Sequence, residues 1–273
     1  MFTNPFLELS GLISPLAMQI YVIAMVILVA GGTILDTLHK KSAEYFFRNA
    51  EKAKKAATRT VSGGEKVAIA VSTIAVDVLT SGEFCNQRRR LAHLLTMYGF
   101  ILFVVSTAVL IFGYAASPSP ALWPLLWHLG ALMVCVGGYW FWFVIRVDVA
   151  AEGNPWYRVV RADLFILALL ATTTFALLWS VFSATFFFVL FIAAATVLFG
   201  TVLWSKFAHM FFKPAAAFNK RMTIADGSIE NLPEIPELTD PAVHERYPDI
   251  PEYLGKNPPN MGLGIKREAP SHY

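Results

Sequence analysis

The sequence is poor in charge: only 15% of its 273 residues are Asp, Glu, Lys or Arg, against 56% hydrophobic. A soluble domain of this size carries more charge. The two cysteines, Cys85 and Cys135, are too few for a disulfide framework, so both are expected as free thiols. No Cys/His spacing of a zinc or iron–sulfur site occurs. Neither a glycine-rich phosphate loop nor a Ser/His/Asp set is evident, which argues against the common hydrolases and transferases. The first residues lack the basic region and small-residue cleavage site of a signal peptide, so the first apolar stretch is expected to be retained. Acids suited to a proton-coupled transporter are scarce as well, Asp36 being the only one inside a long apolar run.

What is present is a set of long apolar runs, and the expected fold is an all-α integral membrane bundle. A helix needs about 20 apolar residues to cross ~30 Å of hydrocarbon. Five spans are expected, over about 12–38, 91–115, 122–145, 162–181 and 183–207. The last two come from one charge-free stretch, Leu164 to Trp204, folded back near Trp179 to Ala184, although no Pro or Gly marks the turn. Residues 1–212 form the bundle in this reading, with a long loop at 39–90. Residues 213–273 form a tail that holds nine of the 15 prolines.

The basic residues orient the bundle. Residues 1–38 contain no Lys or Arg, residues 39–91 contain eleven, the Arg146–Arg161 loop three, and the chain from Lys206 onward eight. Those are all 22 in the protein, and in a five-helix arrangement every one falls on the same side. Positive charge marks the cytoplasmic side, which puts the N-terminus outside and the loop and tail inside. Within the loop, Lys40–Thr60 is basic with helical spacing. The apolar segment Lys66–Leu79 is too short to span, and reads equally as an interfacial helix, a partner-binding helix or a solvated linker. The tail cannot build a core of its own. Large side chains recur between its prolines, Tyr247, Ile250, Tyr253 and Leu254 among them, as in an arm that orders on a soluble partner.

Histidines are the candidates for chemistry. His244 and His272 lie in the tail, whereas His39, His93, His128 and His209 lie within or at the ends of spans. Ionisable residues at membrane depth are functional candidates, and histidine in apolar helices is the usual axial ligand of haem iron. His93 opens the second span after Arg88-Arg89-Arg90, and His209 closes the fifth after Lys206, both at the cytoplasmic edge. That placement suits a b-type haem held between two helices. Arg90 and Lys206 would face its propionates, and Gly99 would relieve crowding against the ring. The competing reading is two interfacial histidines facing water or headgroups. His39 is at the same depth and would replace a ligand or help bind a quinone headgroup, though a plain helix-end histidine is the simpler account. His128 has no histidine at its depth on another helix, and the tryptophans around it fit an aromatic belt.

The stretch from Asp77 to Thr107 (DVLTSGEFCNQRRRLAHLLTMYGFILFVVST), with WSKFAHMFFKP from Trp204 to Pro214, resembles the five-helix cytochrome b subunits. That family includes the nitrate reductase gamma subunit, the heterodisulfide reductase membrane subunit and QmoC. The resemblance covers roughly residues 10–215. It implies that His93 and His209 ligate haem b and that the subunit links a cytoplasmic iron–sulfur/flavin oxidoreductase to membrane quinone, in the cytoplasmic (inner) membrane of a bacterium. It departs from the two-haem pattern, because the outer parts of the second and fifth spans have no histidine, so at most one haem is expected. The IADGSIENLP stretch and the terminal GLGIKREAPSHY further resemble the membrane anchors of adenylylsulfate reductase in sulfur oxidation. A haem-free anchor that only tethers the cytoplasmic enzyme is the alternative expectation.

Overall fold

The structure, a computed structural model, describes residues 3–39, 42–82, 84, 86–149, 152–207, 209–228 and 240–246. Among them there are helices and no strands. The order is α1 (Pro5–Leu9), α2 (Pro15–His39), α3 (Ser42–Ala56), α4 (Gly63–Ser72), α5 (Gln87–Tyr114), α6 (Leu122–Trp140), α7 (Leu164–Phe182), α8 (Thr185–Gly200), α9 (His209–Ala225) and α10 (Pro241–Arg246). Two helices widen into π turns, α4 through Thr73–Leu79 and α6 through Phe141–Ile145.

Four helical stretches are long and apolar enough to cross a membrane: Pro15–Leu38, Gln87–Tyr114, Leu122–Ile145 and Arg161–Phe182. The protein is therefore a multi-pass membrane protein by length and composition of its helices. α8 is apolar but only 16 residues long. The turn before it lies at Ser183 and Ala184, inside the expected window. Ser183 takes a left-handed backbone with φ of 50° and donates its N–H to Trp179 O, so a non-glycine residue closes α7.

In the apolar phase, packing rather than expulsion of water drives helix association, and small residues allow close approach. α5 and α6 show this directly. A Cβ on Gly99 would lie 2.8 Å from the Gly130 carbonyl oxygen, and one on Gly130 would lie 2.6 Å from the Phe103 nitrogen. The two backbones therefore touch, with no room for a side chain between them. α2 is held more loosely. Gln19 Nε2 donates to Ile111 O at 3.3 Å, and Tyr21 donates to Ile192 O at 3.2 Å.

At the end away from the basic residues, α1 folds back into the bundle. Phe6 is buried edge-on against both Trp127 and Trp179, with ring centroids 5.8 and 5.6 Å apart. Asn4 caps α1 through Phe6 N and donates to Tyr114 O at 2.9 Å. This plug lies ahead of the expected first span and has no apolar run to announce it.

Two expectations are corrected. The fifth apolar stretch does not run as one helix to His209. It stops at Gly200, turns through residues 201–207, and His209 opens α9 instead of closing a span. Side chains compete with the helical ladder here: Thr201 Oγ1 donates to Val197 O, and Ser205 Oγ accepts from Phe207 N. α2 packs on the turn, since a Cβ on Gly32 would lie 2.8 Å from Val202 Cβ. Secondly, the chain from Lys213 is not all extended tail. It is helical through Ala225, with Pro214 inside the helix, and Ser228 Oγ donates back to Thr223 O at the helix end. Most of the remaining tail, with His272, lies outside the described residues, as does Cys85. Cys135 is a free thiol.

Candidate functional site

The basic end of the bundle gathers the polar side chains. Asn86 caps α5 by accepting from the N–H groups of Arg88 and Arg89, which sets the Arg triplet at the helix start and His93 about one and a half turns in. The preceding turn, Thr80 to Phe84, folds over that start. Ser81 is buried with φ of 49°, and its hydroxyl is 3.0 Å from His93 Nδ1. Phe84 lies on the His93 ring at 4.9 Å between centroids. Its own ring is approached by Lys213 Nζ of α9 at 5.2 Å and by Arg89 at 6.0 Å. Phe84 thus bridges the start of α5 to the first turns of α9. His93 and the backbone of His209 are brought to one end of the molecule; the side chains of His209 and His39 lie outside what is described.

Beyond this end lies an apolar cleft of about 710 Å³ between α2, α5 and α8. Met25, Phe100, Val104, Phe199, Phe207 and Met210 line it. Phe100, Val104, Thr107 and Ile111 recur at helical spacing along the cleft wall, and His93 lies on the same side of α5 about two turns before Phe100, outside the cleft lining. Phe207 and Met210, which flank His209 in the chain, close the same side.

The other expected site residues are placed as follows. Arg90 donates from Nε to Thr80 O at 2.7 Å, tying the turn to α5. Lys206 is exposed in the turn after α8. Gly99 faces α6 and not the cleft, so its missing side chain serves helix contact and leaves no notch for a ring. His128 is buried with both ring nitrogens engaged, Nδ1 with Pro124 O at 2.6 Å and Nε2 with Ser180 Oγ at 2.5 Å. It joins α6 to α7 as a structural residue.

Four ties at this end were not foreseen. Arg221 of α9 grips Asp77 with Nε at 2.6 Å and Nη2 at 3.0 Å and reaches Ser72 Oγ at 3.2 Å. The bidentate bond to Asp77 raises the Arg221 pKa further. Arg146 is buried over the Trp142 ring at 4.0 Å and donates to Asp163 at 2.6 Å, joining the ends of α6 and α7. Arg89 pairs with Glu152 at 2.6 Å. Asp226 O accepts from the N–H groups of Thr58 and Arg59, pinning the chain after α9 to the loop after α3. Sequence offers only weak signals for these, such as the turn-forming Thr80-Ser81-Gly82. No group of three or more metal-ligating side chains occurs among the described residues.

No protein-family model, curated protein or solved structure matches the chain.

Proposed function

We propose that this chain is the membrane electron-transfer subunit of a quinone-linked oxidoreductase in a bacterial cytoplasmic membrane. Its fifth crossing is α8 with the turn that follows it, giving an N-terminus outside and a basic end inside. The observation that carries the reading is His93: an imidazole held by a buried serine about two turns before the cleft-lining Phe100 on α5, at the same end as the start of the helix that opens with His209. The donor set fits a b-type haem. Metal-bound histidine characteristically engages its second ring nitrogen in a hydrogen bond that fixes ring orientation, and Ser81 supplies one at Nδ1. His93 and His209 would hold the iron, with His39 and Lys206 at the same edge. Bound haem b supplies a one-electron carrier between a diffusible quinone and the soluble partner. Arg90 and Ser81 hold the turn over His93, and the apolar cleft wall keeps water from that side. The partner is a cytoplasmic iron–sulfur/flavin oxidoreductase, with adenylylsulfate reductase the candidate favoured by the tail's resemblance.

A haem-free membrane anchor is the second reading. Phe84 packed at a tilt against His93 and α6 filling the space beside Gly99 favour it.

A reduced-minus-oxidised visible spectrum of the purified protein tests both readings. The expected result is a b-type alpha band that disappears in His93→Ala and His209→Ala. An absent band in the parent expressed with haem supplied overturns electron transfer and leaves the anchor.

A further inference from the structure

Outside the spans, one helix is turned inside out. α4 and its π continuation present their polar side to the protein: Ser72 and Asp77 bind Arg221, and Thr73 is buried. The opposite side is apolar. Val67, Val71 and Ile74, one and two turns apart, are 64%, 60% and 55% exposed, and Leu79 is 49% exposed. A helix surrounded by water arranges its sides the other way. Contiguous exposed apolar surface on a segment locked in place by ion pairs marks a surface with something to cover it.

Depth identifies what covers it. α5 has 28 residues, about 42 Å at 1.5 Å per residue, some 12 Å more than the hydrocarbon thickness. Arg88, Arg89 and Arg90 keep the excess at the basic end, which puts the hydrocarbon boundary near Leu95. Tyr98 lies just inside that boundary, and its hydroxyl donates to Leu79 O at 2.6 Å. Arg90 Nε holds Thr80 O at 2.7 Å. The C-terminal end of the π turn is therefore clasped at the level where acyl chains meet headgroups. On α5, which would cross the same leaflet, Ile101 and Val105 are exposed apolar side chains as well. Two exposed cations flank it, Lys66 next to Val67 and Arg88 at the start of α5, while the acids of the same segment, Glu65 and Asp77, are paired with Arg59 and Arg221.

We propose that α4 with Thr73–Leu79 is an interfacial helix, seated in the leaflet at the basic end. Val67, Val71 and Ile74 enter the acyl region, and the cations around them engage anionic headgroups. The Arg221–Asp77 grip then couples α9, and the tail that follows it, to the membrane surface. A soluble partner is left the basic face of α3 and the tail. The inference is independent of haem.

The test uses the full chain in nanodiscs of phosphatidylcholine, with and without phosphatidylglycerol. Nitroxide labels are placed at Val67→Cys, Val71→Cys and Ile74→Cys in a Cys85→Ser/Cys135→Ser background. Val105→Cys serves as lipid control and Lys55→Cys as aqueous control. Power saturation reads collision with oxygen against a water-soluble nickel chelate. The three stripe labels are expected to show an oxygen-to-nickel ratio several-fold above that of Lys55→Cys and close to that of Val105→Cys, rising further with phosphatidylglycerol. A nickel-dominated ratio overturns the proposal and leaves a water-exposed face awaiting a protein partner. Exclusion of both reagents, as for a label buried in protein, overturns it too. A ratio indifferent to phosphatidylglycerol overturns the headgroup part.

Discussion

The two ends of this bundle are built on different principles. At the Trp127 end, contacts are ring against ring, helices are regular, and the one histidine, His128, is saturated by Pro124 and Ser180. At the basic end, both π turns, the break at 201–207 and the Arg221–Asp77, Arg146–Asp163 and Arg89–Glu152 pairs are found together. Hydrocarbon leaves a broken backbone group without a partner, so irregularity is confined to depths where side chains or water can satisfy it. The difference teaches where to look for chemistry. Polar side chains are sparse at one end and concentrated at the other.

Substitutions separate packing from polar ties. The largest effect is expected between the helices that join the two ends. Gly99→Leu forces α5 and α6 apart, because even a Cβ there meets backbone at 2.8 Å, whereas a Cβ at Gly113 meets nothing within 4 Å, which makes Gly113→Leu the control. The first should abolish the monodisperse peak in detergent chromatography, and the second should leave it unchanged; equal behaviour of the two would break the account of close approach. Next is the aromatic plug. Phe6→Ala should cost about 3–5 kcal/mol if the cavity stays open, seen as a lowered melting temperature in detergent, with any haem band at the opposite end preserved. Arg221→Ala should cost only about 1 kcal/mol, as a partly exposed pair is screened by solvent. Its readout is local: faster tryptic cleavage after Lys220 as α9 loosens from α4.

The smallest effect concerns pH. Arg59, hydrogen-bonded to both Glu65 oxygens, holds that carboxyl below the usual carboxylate range. A depressed folded pKa stabilises above the unfolded value and is lost as pH falls through the folded one. Hydrogen exchange at residues 63–67 should therefore quicken slightly below the usual glutamate range, beyond the intrinsic pH effect, and the increment should vanish in Glu65→Gln. A change of similar size at Phe6 would break the contrast between the ends.

Much of the fold was legible because membrane spans obey a one-dimensional rule. Length and apolarity marked Leu122–Ile145 to the residue and the end of Gln87–Tyr114 to within one, but placed its start at Leu91, after the Arg triplet that the helix includes. The α7–α8 turn was bracketed by span length alone. The continuation of helix past Pro214 was not legible, since a proline-rich stretch of mixed charge reads as unstructured until α4 and α3 are there to pack against. Of the candidate site, His93 and its end of the bundle were legible from the adjoining Arg triplet. Its Ser81 and Phe84 partners were not, because a turn's closure over a helix start leaves no periodic trace.

By itself, then, the sequence determined that the chain enters a membrane several times and that its cations lie outside the apolar runs, because transfer free energies act residue by residue. The tertiary structure decided what those residues face. It gave Gly99 to α6 and not to a ring, made His128 a strut, ended α8 at Gly200, and turned the polar side of α4 inward onto Arg221. Each of these depends on which backbone arrives within a few ångströms from elsewhere in the chain, and no local pattern encodes that distance.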